Sequence, residues 1–198
     1  MKNSREDILL VALQMFATYG FDATRLDQIT DKLGMVKSSV YKHFKNKQDI
    51  FDSAIKYMAM RDAEFTARFA MPGDIAGGMA DVHAVADFSH AMFDFWTADK
   101  FAVAFRHMLT IEQYKSAHMR RMYHQYFGAG PVEYMSGIFV QIIGDVDMAW
   151  RCAVTFYGIL RMGYELYDNA RNKSEIAVQI HTGIDEFIKE MQNEISKK

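Results

Sequence analysis

Apolar residues recur at three- and four-residue intervals along most of this chain, and only two prolines, Pro72 and Pro131, interrupt its 198 residues. Such spacing keeps one stripe of each segment facing inward when the segment is helical. A strand would instead show alternation bounded by turn clusters, a pattern hard to find anywhere here. The expected fold is therefore all-α. Half of the residues are apolar, which suffices for a sizeable core at this length. The single cysteine, Cys152, excludes an internal disulfide framework and any multi-cysteine zinc site. No apolar run approaches the roughly 20 residues that cross a bilayer, and no charged segment followed by an apolar one opens the chain. A cytoplasmic protein without a membrane partner is expected.

Local signals divide the chain into helices. Ser4-Arg5-Glu6-Asp7 has the form of a capping box, and the stripe Ile8, Ala12, Met15, Phe16 and Tyr19 follows it to a left-handed stop at Gly20. Thr24, with Asp27 three residues on, is the expected cap of a second helix that buries Leu26, Ile29 and Leu33 and ends at Gly34. A third helix has room only for about Lys37 to Phe44. Asn46 with Asp49 then caps a fourth, whose stripe is Ile50, Ala54, Tyr57 and Met58. The proline- and glycine-rich stretch AMPGDIAGGMADV, residues 70–82, predicts a loop or boundary. Further breaks are expected near Thr97 to Asp99, at Ser116 and at Gly128 to Pro131. Two longer helices should follow, from about Asp147 to Ala170 and, capped by Ser174, to about Ser196. This predicts an N-terminal three-helix helix-turn-helix module over residues 1–50, including the start of a connecting helix, and a larger helical domain over 51–198.

Charge singles out the first part. The net charge of −2 argues against indiscriminate nucleic-acid binding, yet residues 1–57 hold nine Lys/Arg against seven Asp/Glu. Lys32, Lys37, Lys42, Lys45 and Lys47 share a window with no acid, the footprint of phosphate binding. Two helices joined by a tight glycine turn, the second short and rich in donors, have the layout that lays its second helix in a DNA groove. Lys37, Ser38, Ser39 and Lys42 are the candidate base readers, because lysine bonds guanine O6 and N7 and serine reaches a base edge or a phosphate. Tyr41, His43 and Lys47 suit the phosphate backbone, and Thr24 and Arg25 the opposite groove wall.

The segment FATYGFDATRLDQITDKLGMVKSSVYKHFKNKQDIF resembles the DNA-binding region of the TetR family of bacterial transcriptional regulators. The resemblance rests on Phe16, Gly20, Thr24, Ile29, Gly34, Val40, Tyr41, His43, Phe44, Lys47 and Ile50 in register. The chain departs from that pattern at Val36, where the family commonly has serine or threonine, at Arg25, often a hydroxyl residue, and at Leu33, often alanine. The resemblance implies a double-stranded DNA operator as partner, together with a C-terminal half that dimerises and holds a small-molecule effector.

The residues of that half bear on both points. Ala177, Ile180, Ile184, Phe187 and Met191 recur at alternating intervals of three and four, the seam of a helix lying along another. Trp150, Val154 and Tyr157 form a second face, so these positions are expected at a homodimer interface, although spacing alone leaves open that both stripes face the chain's own core. Phe93, Trp96, Met108, Tyr123, Tyr126, Phe139 and Phe156 would line a pocket for an apolar or aromatic effector. Arg106, His107 and Glu112 could fix a polar group on it, or simply lie at the surface. His83 and His90, or His118 and His124, lie six or seven apart rather than at the spacing that aligns ligands on a helix, so no metal is expected. No phosphate loop, nucleophile elbow or cysteine–base pair is present, which predicts no cofactor and no enzyme. The expected function is a ligand-responsive repressor released from an inverted-repeat operator. The alternative is a DNA-binding dimer without a small effector, its C-terminal domain serving protein interaction.

Overall fold

The computed structural model describes residues 4–68 and 82–195. Among these residues there are ten helices and no strand: α1 (Arg5–Tyr19), α2 (Leu26–Leu33), α3 (Lys37–Val40), α4 (Lys47–Arg68), α5 (Val82–Ala98), α6 (Lys100–Glu112), α7 (Ala117–Phe127), α8 (Ala129–Ile143), α9 (Val146–Asn169) and α10 (Lys173–Ile195). The predicted loop at 70–82 lies outside the described residues except for Val82.

Several helix ends fall where local chemistry places them. The Ser4 hydroxyl accepts the Asp7 N–H at 3.2 Å while the Asp7 carboxylate accepts the Ser4 N–H at 2.7 Å, a closed capping box. Gly34 ends α2 in the left-handed region (φ +63°), and the Met35 N–H reaches back to the Thr30 carbonyl. Asn46 accepts the Asp49 N–H at 2.9 Å to start α4, and Asp99 accepts the N–H groups of Phe101 and Ala102 to start α6. Other expectations shift. Arg25, not Thr24, is the N-cap of α2, its own N–H donating to Gln28 Oε1 at 2.8 Å. At α10 the capping oxygen is that of Asn172, which accepts the Glu175 N–H at 3.3 Å, rather than Ser174. Gly20 has positive φ but an extended ψ (80°, 162°), so it redirects the chain instead of continuing in the left-handed helical region. Tyr19, expected in the buried stripe of α1, is 60 % exposed.

The chain divides into two compact units. One comprises Met1–Phe65 and Asp99–Tyr123, the other Thr66–Ala98 and His124–Lys198. This division does not coincide with a boundary at residue 50, because α1 packs along α6 and draws residues 99–123 into the first unit. Its core is Ile8, Leu9, Leu13, Phe16, Ile29, Ile50 and Met58, all fully buried, with Phe105 and Met108 from α6. The Phe16, Phe21 and Phe51 rings stand 4.8–5.5 Å apart at tilted or edge-on angles, the favoured aromatic arrangement.

In the second unit α9 packs against α8, α10 and α5, and α10 against α5. Ile180, Ile184, Ile188 and Met191 of α10 are buried within the chain itself. The seam expected at a homodimer interface therefore points inward along these residues. Ile188 takes the place of Phe187, which is only half-buried and groups with Phe139 and Phe156. Between α5 and α10, His90 pairs with Asp185 and His181 with Asp94, each at 3.1 Å, with the two imidazoles stacked 4.6 Å apart.

Candidate nucleic-acid interface

The DNA-reading candidates converge on one short stretch of the first unit. α3 is a single turn, Lys37–Val40, and not the longer helix expected to Phe44. After it, the N–H groups of both His43 and Phe44 donate to the Val40 carbonyl. This turn brings Phe44, 2 % exposed, back into the core and places Asn46 to start α4. Val40 and Phe44 thus anchor the segment, at 1 % and 2 % exposure. Lys37, Ser38, Lys42, His43 and Lys45 are exposed, Tyr41 is 55 % exposed, and Ser39 is half-buried. These exposed donors lie on α3 and the turn after it, an arrangement suited to base edges and phosphates. Arg25 is exposed at the start of α2, with its Nε 3.3 Å from Asp27.

Two of the sequence candidates are committed elsewhere. Thr24 is fully buried, and its hydroxyl donates to the Gly20 carbonyl at 2.8 Å and the Met15 carbonyl at 3.3 Å. Its side chain holds the α1–α2 turn rather than a groove wall. The Lys47 ammonium donates to the carbonyls of Phe21 at 2.6 Å, Thr24 at 2.8 Å and Asp22 at 3.4 Å, and lies 4.3 Å from the Phe21 ring centre. An ammonium has three hydrogens, and here three main-chain oxygens receive them. Lys47 clamps the turn that leads into α2 instead of standing free for a phosphate.

Sequence reasoning missed the opposite side of that turn. Glu112, placed by the sequence near a ligand or at the surface, is 4 % exposed, and its Oε1 accepts the Phe21 N–H at 2.8 Å and the Lys115 ammonium at 2.9 Å. Lys115 also reaches Asp22 at 3.2 Å. The Glu112 bond, with Asp22 adding to it against the opposing effect of burial, raises the Lys115 ammonium above its ordinary value. At the other end of α6, Asp99 receives both terminal nitrogens of Arg61, at 2.7 and 2.8 Å. Burial acts to raise the Asp99 carboxyl, but Arg61 and the two α6 N–H groups outweigh it and hold it below the usual carboxylate range. No local motif announces these contacts, whose partners lie 91 and 38 residues apart.

The remaining candidates lie away from this face. Arg106, expected to fix a ligand or lie exposed, is buried at 4 %, while His107 is half-buried. Met108 and Tyr123 belong to the first unit, whereas Phe93, Trp96, Tyr126, Phe139 and Phe156 belong to the second. There Phe93 stacks on Tyr164 at 5.7 Å, Trp96 meets Tyr126 and Phe127 edge-on, and Phe139 meets Phe156 at 5.7 Å. Trp150 and Val154 are 45 % and 47 % exposed, but Tyr157, assigned to the same interface face, is 8 % exposed and belongs to the core.

Comparison with known proteins places this geometry. The family model described as "Bacterial regulatory proteins, tetR family" matches residues 8–54. The chain is 31 % identical over 85 residues to the uncharacterized HTH-type transcriptional regulator YezE of Bacillus subtilis, covering 41 % of this chain and 44 % of that protein. It is 32 % identical over 77 residues to the HTH-type transcriptional regulator AcrR of Shigella flexneri, covering 37 % and 35 %. The chain thus spans less than half the length of these curated relatives. The fold agrees over nearly the whole chain with a TetR-family regulator from Marinobacter aquaeolei, at a TM-score of 0.63 and 15 % identity, covering 98 % of each chain. It agrees likewise with a transcriptional regulator from Aquifex aeolicus at a TM-score of 0.62 and 15 % identity, covering 92 % of this chain and 98 % of the other. The matched segment contains α1 to α3, their capped turns and the root of α4, so residues 8–54 are similar to the DNA-binding segment of the TetR family of bacterial regulatory proteins, and the whole chain shares the fold of TetR-family regulators.

Proposed function

We propose that the protein is a homodimeric transcriptional repressor that reads an inverted-repeat operator through α3 and its following turn. One observation carries this reading: Lys37, Ser38, Tyr41, Lys42 and His43 are exposed on a single short element whose backbone is anchored by Val40 and Phe44. Side chains on a fixed backbone meet base edges in register, which loose lysines on a solvated face do not. The test is duplex binding followed by fluorescence anisotropy over a salt series. The protein should bind with an affinity that falls steeply as salt rises, and Lys42→Ala or Lys37→Ala should reduce discrimination between preferred and scrambled duplexes. Absence of binding to any duplex at low salt would overturn the reading.

Dimerisation is supported by α9. Val146, Trp150 and Val154 are 67, 45 and 47 % exposed and turn only about 80° around the helix, while Met162 and Leu166, at 59 and 47 %, continue the row further round. An exposed apolar stripe on a helix surface favours a partner helix. The same stripe on a second copy is the partner we assign. Release of DNA by an apolar or aromatic effector is the finer part of the proposal. It is supported by the aromatic content of the second unit, and a thermal-shift screen of aromatic compounds checks it by a rise in melting temperature together with loss of DNA binding.

A further inference from the structure

The turn from Gly20 to Thr24 is gripped from two sides within the first unit. Lys47 of α4 takes its carbonyls, and Glu112 at the end of α6 takes its Phe21 N–H. The approach on the α6 side is close. A Cβ at Gly20, where φ is +80°, would stand 3.0 Å from Lys115 Nζ and 3.1 Å from Glu112 Oε1. A carboxylate buried to 4 % exposure is costly unless donors surround it, and Glu112 has two, one of them the main chain of the turn itself. The far end of α6 is fixed independently: Asp99 pairs with Arg61 of α4, and Phe101 meets Tyr57 edge-on at 5.0 Å. α6 therefore runs as a strut from α4 to the turn that launches α2 and α3.

Resting on the DNA-reading function above, we propose that Glu112 is a positioning residue for sequence recognition: by accepting the Phe21 N–H it ties the turn that leads into α2 and α3 to the end of α6. α1 already packs along α6, so the unit keeps its core without this bond. What the bond adds is direction, since an acceptor for one turn amide fixes the path of the chain at the point where it leaves α1. Binding through phosphates tolerates a small tilt of α3, whereas base readout depends on register. Loss of Glu112 should accordingly lower discrimination between sequences more than it lowers binding itself.

The experiment uses the full chain and two probes, a duplex enriched by the wild-type protein from a randomised pool and a scrambled duplex of equal length. Glu112→Gln keeps an acceptor for Phe21 and should bind the enriched duplex within about threefold of wild type. Glu112→Ala should lose about tenfold on the enriched duplex while its affinity for the scrambled one stays unchanged, and the Phe21 amide should exchange faster with solvent. If Glu112→Ala does not fold, Glu112→Asp withdraws the acceptor by one methylene and should show the same loss of discrimination. Wild-type discrimination in the variant lacking the acceptor, an equal loss on both duplexes, or a loss in Glu112→Gln as large as in Glu112→Ala would each overturn the proposal. A wild-type protein that enriches no duplex overturns the DNA-reading function itself, and the positioning role with it.

Discussion

Lys47 directs its three ammonium hydrogens at the carbonyls of Phe21, Asp22 and Thr24, so its loss is a matter of folding before it is a matter of DNA. Lys47→Met should destabilise the protein by about 1–3 kcal/mol, the cost of leaving hydrogen-bonding groups unmatched, whereas Lys45→Met, at an exposed position, should leave the melting temperature nearly unchanged. Chemical denaturation of both variants checks this. Thr24→Val, which fills the same space without the buried hydroxyl, should cost about 1 kcal/mol by the same measurement. Asp99 gives a pH dependence. Its carboxyl lies below the ordinary range in the folded chain, so its pairing with Arg61 stabilises the protein above the unfolded carboxyl value of about 3.9 and is lost as pH falls through the lower, folded value. Asp99→Asn should therefore melt lower than wild type at neutral pH, with the gap closing in acid. At this scale the sequence located Lys47 and Thr24 as important but misassigned their partners. The type and spacing of a residue show what it can donate. They do not show that carbonyls 23 to 26 residues earlier lie within reach.

Helix ends were readable wherever the signal is local. Ser4 with Asp7, Gly34 and Asn46 each act on groups within one turn, and each ends or starts a helix as expected. Thr24 and Ser174 misled because a neighbouring residue, Arg25 or Asn172, holds the capping position. The α10 stripe shows a different limit: intervals of three and four announce an apolar face without naming the helix that meets it, and Ile184 at 0 % exposure meets its own chain. The α9 ridge is the better interface candidate for that reason. Val154→Glu changes a residue that is 47 % exposed, so it should leave the helical content and melting of the chain intact while shifting the dimer toward monomer by at least about tenfold, since a carboxylate buried without a partner in the contact costs several kcal/mol. Sedimentation equilibrium reads that shift directly. A variant that remains dimeric at wild-type concentrations would remove α9 from the interface.

For the whole molecule, the all-helical class followed from periodicity and scarce proline, but the composition of the two units did not. Residues 99–123 join the N-terminal unit because α6 packs along α1, and contacts so distant in sequence leave no trace in local pattern. The consequence for the proposed function is that the turn leading into α2 and α3 is held by α6 and α4, at Glu112 and Lys47. A two-fold dimer of such chains would present two copies of α3, and DNA geometry then requires half-sites about 34–36 Å apart, one helical turn, or a multiple of it. Sequencing the duplexes that the wild-type protein enriches from a randomised pool tests this most directly. Binding as a two-fold dimer predicts an inverted repeat whose half-sites are spaced by whole helical turns; enrichment of a single asymmetric site, or of no sequence at all, would contradict it.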